Sequence, residues 1–345
     1  MIKIDYSKFD LDAYWNLIKE EPFSKPKSNS KNKTLQKYKD KLFDENSNIT
    51  LEDFYSFLQK NDELFKKVFE NITAKELILF RAEEINSRVE EIKKNIAFLQ
   101  KNEQKLLKGT LKDIFQYSKF QGKILAPYFE KYLNPRTCYY CNIDFINRYG
   151  EEEIEKDGKK ETVFKNKFTL DHFIDKDRYP YLSLSLFNLV PCCFICNSKK
   201  IKGSREFYGD KELEDTNPYL ETFEFDKKVK FKLFLSENCK ELNIKSKNDI
   251  EIPLKERYSN EYKEYIKVFH LDKRYQAHKD IVFEMITNAE LYPESRLKEL
   301  QDLTGIPYQE IKKDIFRLIG DDVDLSKEPF SKLKRDMAEE LGLLK

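Results

Sequence analysis

Apolar positions between residues 73 and 108 recur at a spacing close to 3.5. Ile78, Ile85, Ile92, Leu99 and Leu106 fall seven apart, Ala82, Val89 and Ile96 fill the alternate positions, and Glu103 interrupts the seam. This pattern predicts one long helix of about nine turns with a single apolar face. Thr73-Ala-Lys-Glu76 reads as a capping box at its start, and Gly109 stands where it would end. Thr50-Leu-Glu-Asp53 reads as a capping box for an earlier helix. The seam suits packing in a helical hairpin with residues 110–132, or an interface with a partner or a second copy. Residues 24–41 are rich in Lys, Ser and Asn and read as an exposed linker or arm.

The texture changes near residue 136. Residues 161–172 and 186–194 read as short strands around a loop. Val229-Lys-Phe-Lys-Leu233 alternates as a half-exposed strand does, and Ile244, Ile250 and Ile252 suggest more β structure. From about 259 the pattern is helical again, with a break around Pro293 and turns near Gly305-Ile-Pro307 and Gly320. There is no internal repeat. The pattern divides the chain into a helical region 1–135, a core 136–210, and a mixed then helical region 211–345.

Composition narrows the function classes. The 345 residues carry 63 Lys and Arg against 62 Asp and Glu, a net charge of +1. Any polyanion site must therefore be a local patch. The 9 glycines include no G-x-G and no G-x-x-x-x-G spacing, which excludes the dinucleotide fingerprint and the P-loop. No apolar run approaches the ~18 residues of a membrane span, and the first residues lack the apolar stretch of a signal peptide. The expected location is cytoplasmic. In that reducing setting six cysteines need a reason other than disulfides.

Five of the six are clustered. Cys138-Tyr-Tyr-Cys141 and Cys193-Phe-Ile-Cys196 are two C-x-x-C pairs with 51 residues between them. Two such knuckles supply four thiolates to a tetrahedral zinc ion and leave no open coordination position, so this zinc would be structural. Cys192 competes with Cys193 for the fourth place, but Cys193 keeps the two-residue spacing. Cys239 reads as an ordinary buried thiol.

Between the knuckles lies Leu170-Asp-His-Phe-Ile-Asp-Lys-Asp-Arg-Tyr-Pro180. It is followed by Leu186-Phe-Asn-Leu-Val-Pro-Cys-Cys-Phe-Ile-Cys-Asn-Ser-Lys-Lys200. The order C-x-x-C, Asp-His, Asn-Leu-Val-Pro, C-x-x-C-Asn, Lys-Lys over residues 136–203 resembles the HNH endonucleases, the ββα-metal fold. The resemblance implies an α+β protein: a zinc-stapled ββα core flanked by helical regions. It implies Asp171 and Asn197 as ligands of a catalytic Mg²⁺ or Mn²⁺, His172 as general base, and Asn188 as the residue bracing the loop that orients His172. The last position is Asn where many members have His. The further acid that a junction-resolving branch carries shortly after it is replaced by Lys199 and Lys200, so junction specificity does not carry over.

The residue types suit phosphodiester hydrolysis. A hard divalent ion takes a carboxylate and an amide oxygen and leaves room for substrate and water. A neutral imidazole accepts the proton of the attacking water. A helix beginning near Asn197 would face the Asp-His strand and project Lys199, Lys200, Lys202 and Arg205 towards the DNA backbone. DNA is the expected substrate, with RNA not excluded. Asp215-Thr-Asn-Pro-Tyr219 and Leu271-Asp-Lys-Arg-Tyr275 resemble extensions of HNH subunits in Septu-type and retron-associated antiphage systems. That likeness implies an ATPase partner subunit, with a homodimer as the other assembly. Two rival readings are a non-catalytic zinc-knuckle module that binds nucleic acid or protein, and a stand-alone modification-dependent restriction endonuclease.

Overall fold

Side-chain caps start most of the N-terminal helices. In the computed structural model Asp10 caps α1 (Leu11–Lys19) and Asn32 caps α2 (Lys33–Leu42). The Thr50–Asp53 box opens α3 (Leu51–Asn61), and Asp62 caps α4 (Glu63–Phe69). The structure describes residues 1–26, 30–43, 48–156, 159–166, 168–237, 239, 243–320 and 323–344, with backbone alone over 148–156 and 159–166. The second half of the expected arm over 24–41 is instead helix α2, which buries Thr34, Leu35 and Tyr38; residues 27–29 of the arm lie outside the described ones.

The long helix expected over 73–108 is three helices. The Thr73–Glu76 box forms and starts α5 (Ala74–Leu79). Phe80 and Arg81 then turn extended, and α6 (Ala82–Ala97) begins. Leu99 drops into the core and α7 (Lys101–Ile114) follows. Glu103, the residue that interrupts the seam, explains the second break. Its carboxylate accepts from the Gln100 backbone amide as the N3 member of a new capping box. Gly109 lies inside α7, not at a helix end. The seam survives the breaks: Ile78, Ala82, Ile85, Val89, Ile92 and Leu99 are buried in the chain's own core, and Leu106 is exposed. Short helices α8 (Tyr117–Phe120) and α9 (Ala126–Tyr132) follow, joined by a π-helical turn over Gln121–Leu125.

The predicted strand 161–172 divides in two. Strand β1 (Arg148–Lys156) pairs with β2 (Lys159–Asn166), whereas β3 (Thr169–His172) pairs antiparallel with β4 (Leu189–Cys192). Asp171 faces Val190 and His172 faces Leu189 in that register. After β4 come α10 (Phe225–Lys228) and the short strands β5 (Val229–Phe231), β6 (Phe234–Leu235), β7 (Ile250–Glu251) and β8 (Leu254–Glu256). These pair as β5–β8 and β6–β7. The C-terminal helices are α11 (Lys263–Val268), α12 (Leu271–Gln276), α13 (Lys279–Leu291), α14 (Glu294–Thr304), α15 (Tyr308–Phe316) and α16 (Ser331–Glu340). Pro293 starts α14, and Gly305 ends it in the left-handed conformation.

The fold is α+β, but no helix begins near Asn197. Residues 194–204 form successive turns instead. Gly203, at φ +53°, packs against the Lys199 backbone and folds the chain back on itself. That reversal carries Lys202 inward. One cluster of buried side chains runs from Met1 to Ala338, so the three regions share a core. Among the described residues no helix is long and apolar enough to cross a membrane.

Asn142 joins the first knuckle to α16. It takes a positive φ, donates through Nδ2 to the carbonyls of Leu325 and Glu328, and accepts at Oδ1 from the Lys332 amide. Both ends of this amide are buried and satisfied. Asn142→Ala strands the Lys332 amide and two carbonyls and should lower stability by about 3 kcal/mol in urea unfolding of the zinc-loaded protein.

Candidate metal centre and active site

The two knuckles converge. The Sγ atoms of Cys138, Cys141, Cys193 and Cys196 all lie within 4.8 Å of one another, and all four residues are buried. A tetrahedral zinc with Zn–S bonds of ~2.3 Å sets its sulfurs about 3.8 Å apart. The Cys141–Cys193 separation is 4.0 Å. The donor set therefore fits a structural zinc. The fourth ligand is Cys193; Cys192 points to Thr169 Oγ1 at 3.4 Å. Arg274 on α12 donates to Cys196 Sγ at 3.2 Å and Cys141 Sγ at 3.5 Å, and is itself held by Asp144 at 3.2 Å. A guanidinium on two sulfurs favours thiolates. Burial pushes the Cys138 and Cys196 thiols up. Against the same burial, hydrogen bonds from the other cysteines and the charge of Arg274 hold Cys141 well below the usual thiol range.

The knuckles reach directly into a second site. Tyr140, inside the first C-x-x-C, donates its hydroxyl to Asp171 Oδ2 at 2.7 Å. Asn197 follows the last cysteine and donates through Nδ2 to Thr169 Oγ1 at 3.0 Å. Asp171, His172, Asn197 and Lys202 line one cavity of about 220 Å³ with Tyr117 and Lys176. Asp171 Oδ1 and Asn197 Oδ1 have no hydrogen-bond partner among the described residues. Two unshared oxygens at one cavity are a donor set that fits a hard divalent cation.

The state of His172 follows from its partners. Its Nε2 lies 2.9 Å from the Ser183 carbonyl, which can only accept, so Nε2 carries the proton and Nδ1 the lone pair. The ring meets Tyr117 edge to face at 4.5 Å, and the Tyr117 hydroxyl is fixed on the Leu170 carbonyl. Burial, followed by the charge of Lys176, lowers the His172 pKa to about 3, so the imidazole is neutral at pH 7. Asn188 is fully buried outside the cavity. It accepts from the Ile174 amide at 2.7 Å and donates to the carbonyls of Ile174 and Leu182, tying the two ends of the loop that carries Ser183.

The four basic residues expected to face DNA divide. Lys199 and Lys200 are exposed. Lys202 is buried, its side chain 2% exposed, and pairs with Asp171 Oδ2 at 3.0 Å while donating to the His172 carbonyl at 2.8 Å. The turns that replace the expected helix put it there. Arg205 is held by Glu264 at 2.6 Å. Sequence reasoning passed over Tyr140, Tyr117, Ser183 and Arg274. Arg274 and Tyr275 sit in the segment 271–275 already singled out, and the Tyr275 hydroxyl donates to the Cys141 carbonyl at 2.6 Å. The segment 215–219 braces the hairpin, since Tyr219 donates to the Leu189 carbonyl at 2.7 Å.

Two outcomes test this geometry. Cys138→Ser should lose zinc, measured by elemental mass spectrometry, and unfold at markedly lower temperature, whereas Cys192→Ser keeps its zinc. Lys202→Ala leaves the Asp171 carboxylate buried without its cation and should cost about 3–5 kcal/mol in urea unfolding. Adding Asp171→Asn should restore most of it; a fully exposed phosphate anchor would show neither effect.

Compared with protein-family models, with curated proteins and with solved structures, the chain matches none.

Proposed function

We propose that the protein is a metal-dependent endonuclease of the HNH type that hydrolyses phosphodiester bonds in DNA. The observation that carries the reading is one cavity lined by Asp171, His172 and Asn197, with His172 Nε2 held by a backbone carbonyl and Nδ1 left as the basic nitrogen. Adjacent carboxylate and imidazole on β3, with an amide oxygen across from them, are the groups that phosphodiester hydrolysis requires. When bound by Asp171 and Asn197, Mg²⁺ or Mn²⁺ would neutralise charge on the phosphate and on the leaving oxygen.

His172 Nδ1 takes the proton of the water that attacks phosphorus. The Ser183 carbonyl stabilises the imidazolium formed, because the Nε2–H it accepts becomes more acidic and the hydrogen bond stronger. Asn188 helps hold that carbonyl in place by donating to the carbonyl of Leu182, the residue before Ser183, and to that of Ile174. Tyr117 limits the tilt of the ring. Tyr140 and Lys202 both engage Asp171 Oδ2, which leaves the other oxygen available to a cation. The products on this reading are 5′-phosphate and 3′-hydroxyl ends. The setting we propose is cytoplasmic antiphage defence beside an ATPase subunit, which rests on the likeness of segments 215–219 and 271–275.

Wild type should nick supercoiled plasmid with Mg²⁺ or Mn²⁺ and stop in EDTA. His172→Ala should lose at least ~10²-fold in rate with zinc content and melting temperature unchanged. Cutting by His172→Ala at the wild-type rate would overturn the assignment of the base.

A further inference from the structure

A wide groove of about 1020 Å³ crosses the N-terminal helices, walled by α2, the α3–α4 junction and α7. It is not isolated. Lys112 lines both this groove and a smaller recess beside it, and Tyr117 and Lys176 line both that recess and the His172 cavity. The surface path from α2 to His172 is therefore continuous. The crossing is spanned by an exposed ion pair, Lys112 with Asp177 at 2.8 Å. Such a pair is weak and can be exchanged for a phosphate.

The charges on the groove walls are unequally engaged. Three of the four lining acids are tied down: Asp62 accepts from the Phe65 amide, Glu103 from the Gln100 amide, and Asp113 from the Thr34 amide and hydroxyl, whereas Glu63 is exposed. Lys33 and Lys105 are exposed and have no ion-pair partner among the described residues. Lys105 and Lys112 lie on one stripe of α7, about 10 Å apart along its axis.

Gly109 lies between them on that stripe and lines the groove. Glycine weakens a helix interior. Nothing inside the protein requires it here, because a Cβ at this position would meet no atom within 4 Å. Bare backbone facing a groove, flanked by two lysines, suits close approach by an external chain.

We propose that this groove binds the sugar–phosphate backbone of DNA and leads it past Lys112 and Lys176 to the His172 cavity. The choice of DNA over an acidic protein partner rests on the nuclease reading and on the continuity of the path.

The test uses the full-length, zinc-loaded His172→Ala protein and a short fluorescein-labelled DNA duplex, with anisotropy followed across a salt series. Lys33→Gln with Lys105→Gln should weaken binding about tenfold and reduce the salt slope by about 2, roughly one unit for each phosphate no longer neutralised. Gly109→Phe should weaken binding by obstruction, whereas Gly109→Ala keeps binding and raises the melting temperature. Unchanged affinity in both the lysine and the Gly109→Phe variants overturns the groove, as does absence of binding by the parent. Tighter binding of an RNA duplex overturns the assignment to DNA. Plasmid cutting by wild type separates the two readings. Groove-dependent binding without metal-dependent cutting keeps the groove and ends the nuclease reading. Cutting by wild type, with lysine variants that bind and cut as it does, ends the groove alone.

Discussion

The carboxylate of Asp171 is where the metal staple and the candidate active site meet. Its Oδ2 is reached by Tyr140 from the first knuckle and by Lys202 from the turns after the second. Both donors depend on the four sulfurs being brought together. Without a cation the cluster is unfavourable, because four buried thiolates repel one another and four buried thiols satisfy no strong acceptor. Arg274 offsets part of that charge from outside. A zinc ion held by the four sulfurs would contribute to folding and also fix the hydrogen bonds on Asp171, the strand that bears His172 and the turn that presents Asn197.

The buried Lys202 changes how the acid works. Burying a carboxylate at 3% exposure is costly unless it is paired. The ammonium and the tyrosine hydroxyl both engage Oδ2 and leave Oδ1 without a partner among the described residues. A lysine that the sequence presents as one of a basic run is, in the fold, part of the support of the site. The same run keeps Lys199 and Lys200 at the surface, where their charge falls off in salt within a Debye length of about 8–10 Å.

What was legible in the sequence was whatever depends on short spacing. The knuckle cysteines, both Thr capping boxes and the Asp-His strand are set by residues two to four apart. The choice of Cys193 over Cys192 follows from the same local geometry. What was not legible depends on packing at a distance. A seam at period 3.5 is the same for one long helix and for three short ones whose breaks preserve the face, and only the Gln100–Glu103 cap marked a new start. The absence of a helix after Asn197 follows from Gly203 packing on Lys199 and from the tertiary pull of Lys202 to Asp171. Arg205 is claimed by Glu264, 59 residues away, a pairing that no local pattern announces.

The direction of the imidazole is the last consequence of the fold. A histidine exposed on a strand end would sample both tautomers, and half of its orientations would turn the lone pair away from substrate. Here the choice is made by a carbonyl eleven residues on, in a buried loop that Asn188 helps to hold. The asparagine bonds to the backbone of Ile174 and of Leu182, next to Ser183, and so helps to keep the Ser183 carbonyl on Nε2. A residue fully buried and outside the cavity thereby supports the group inside it. Its influence passes through two backbone carbonyls and one amide, with no side chain between Asn188 and the ring.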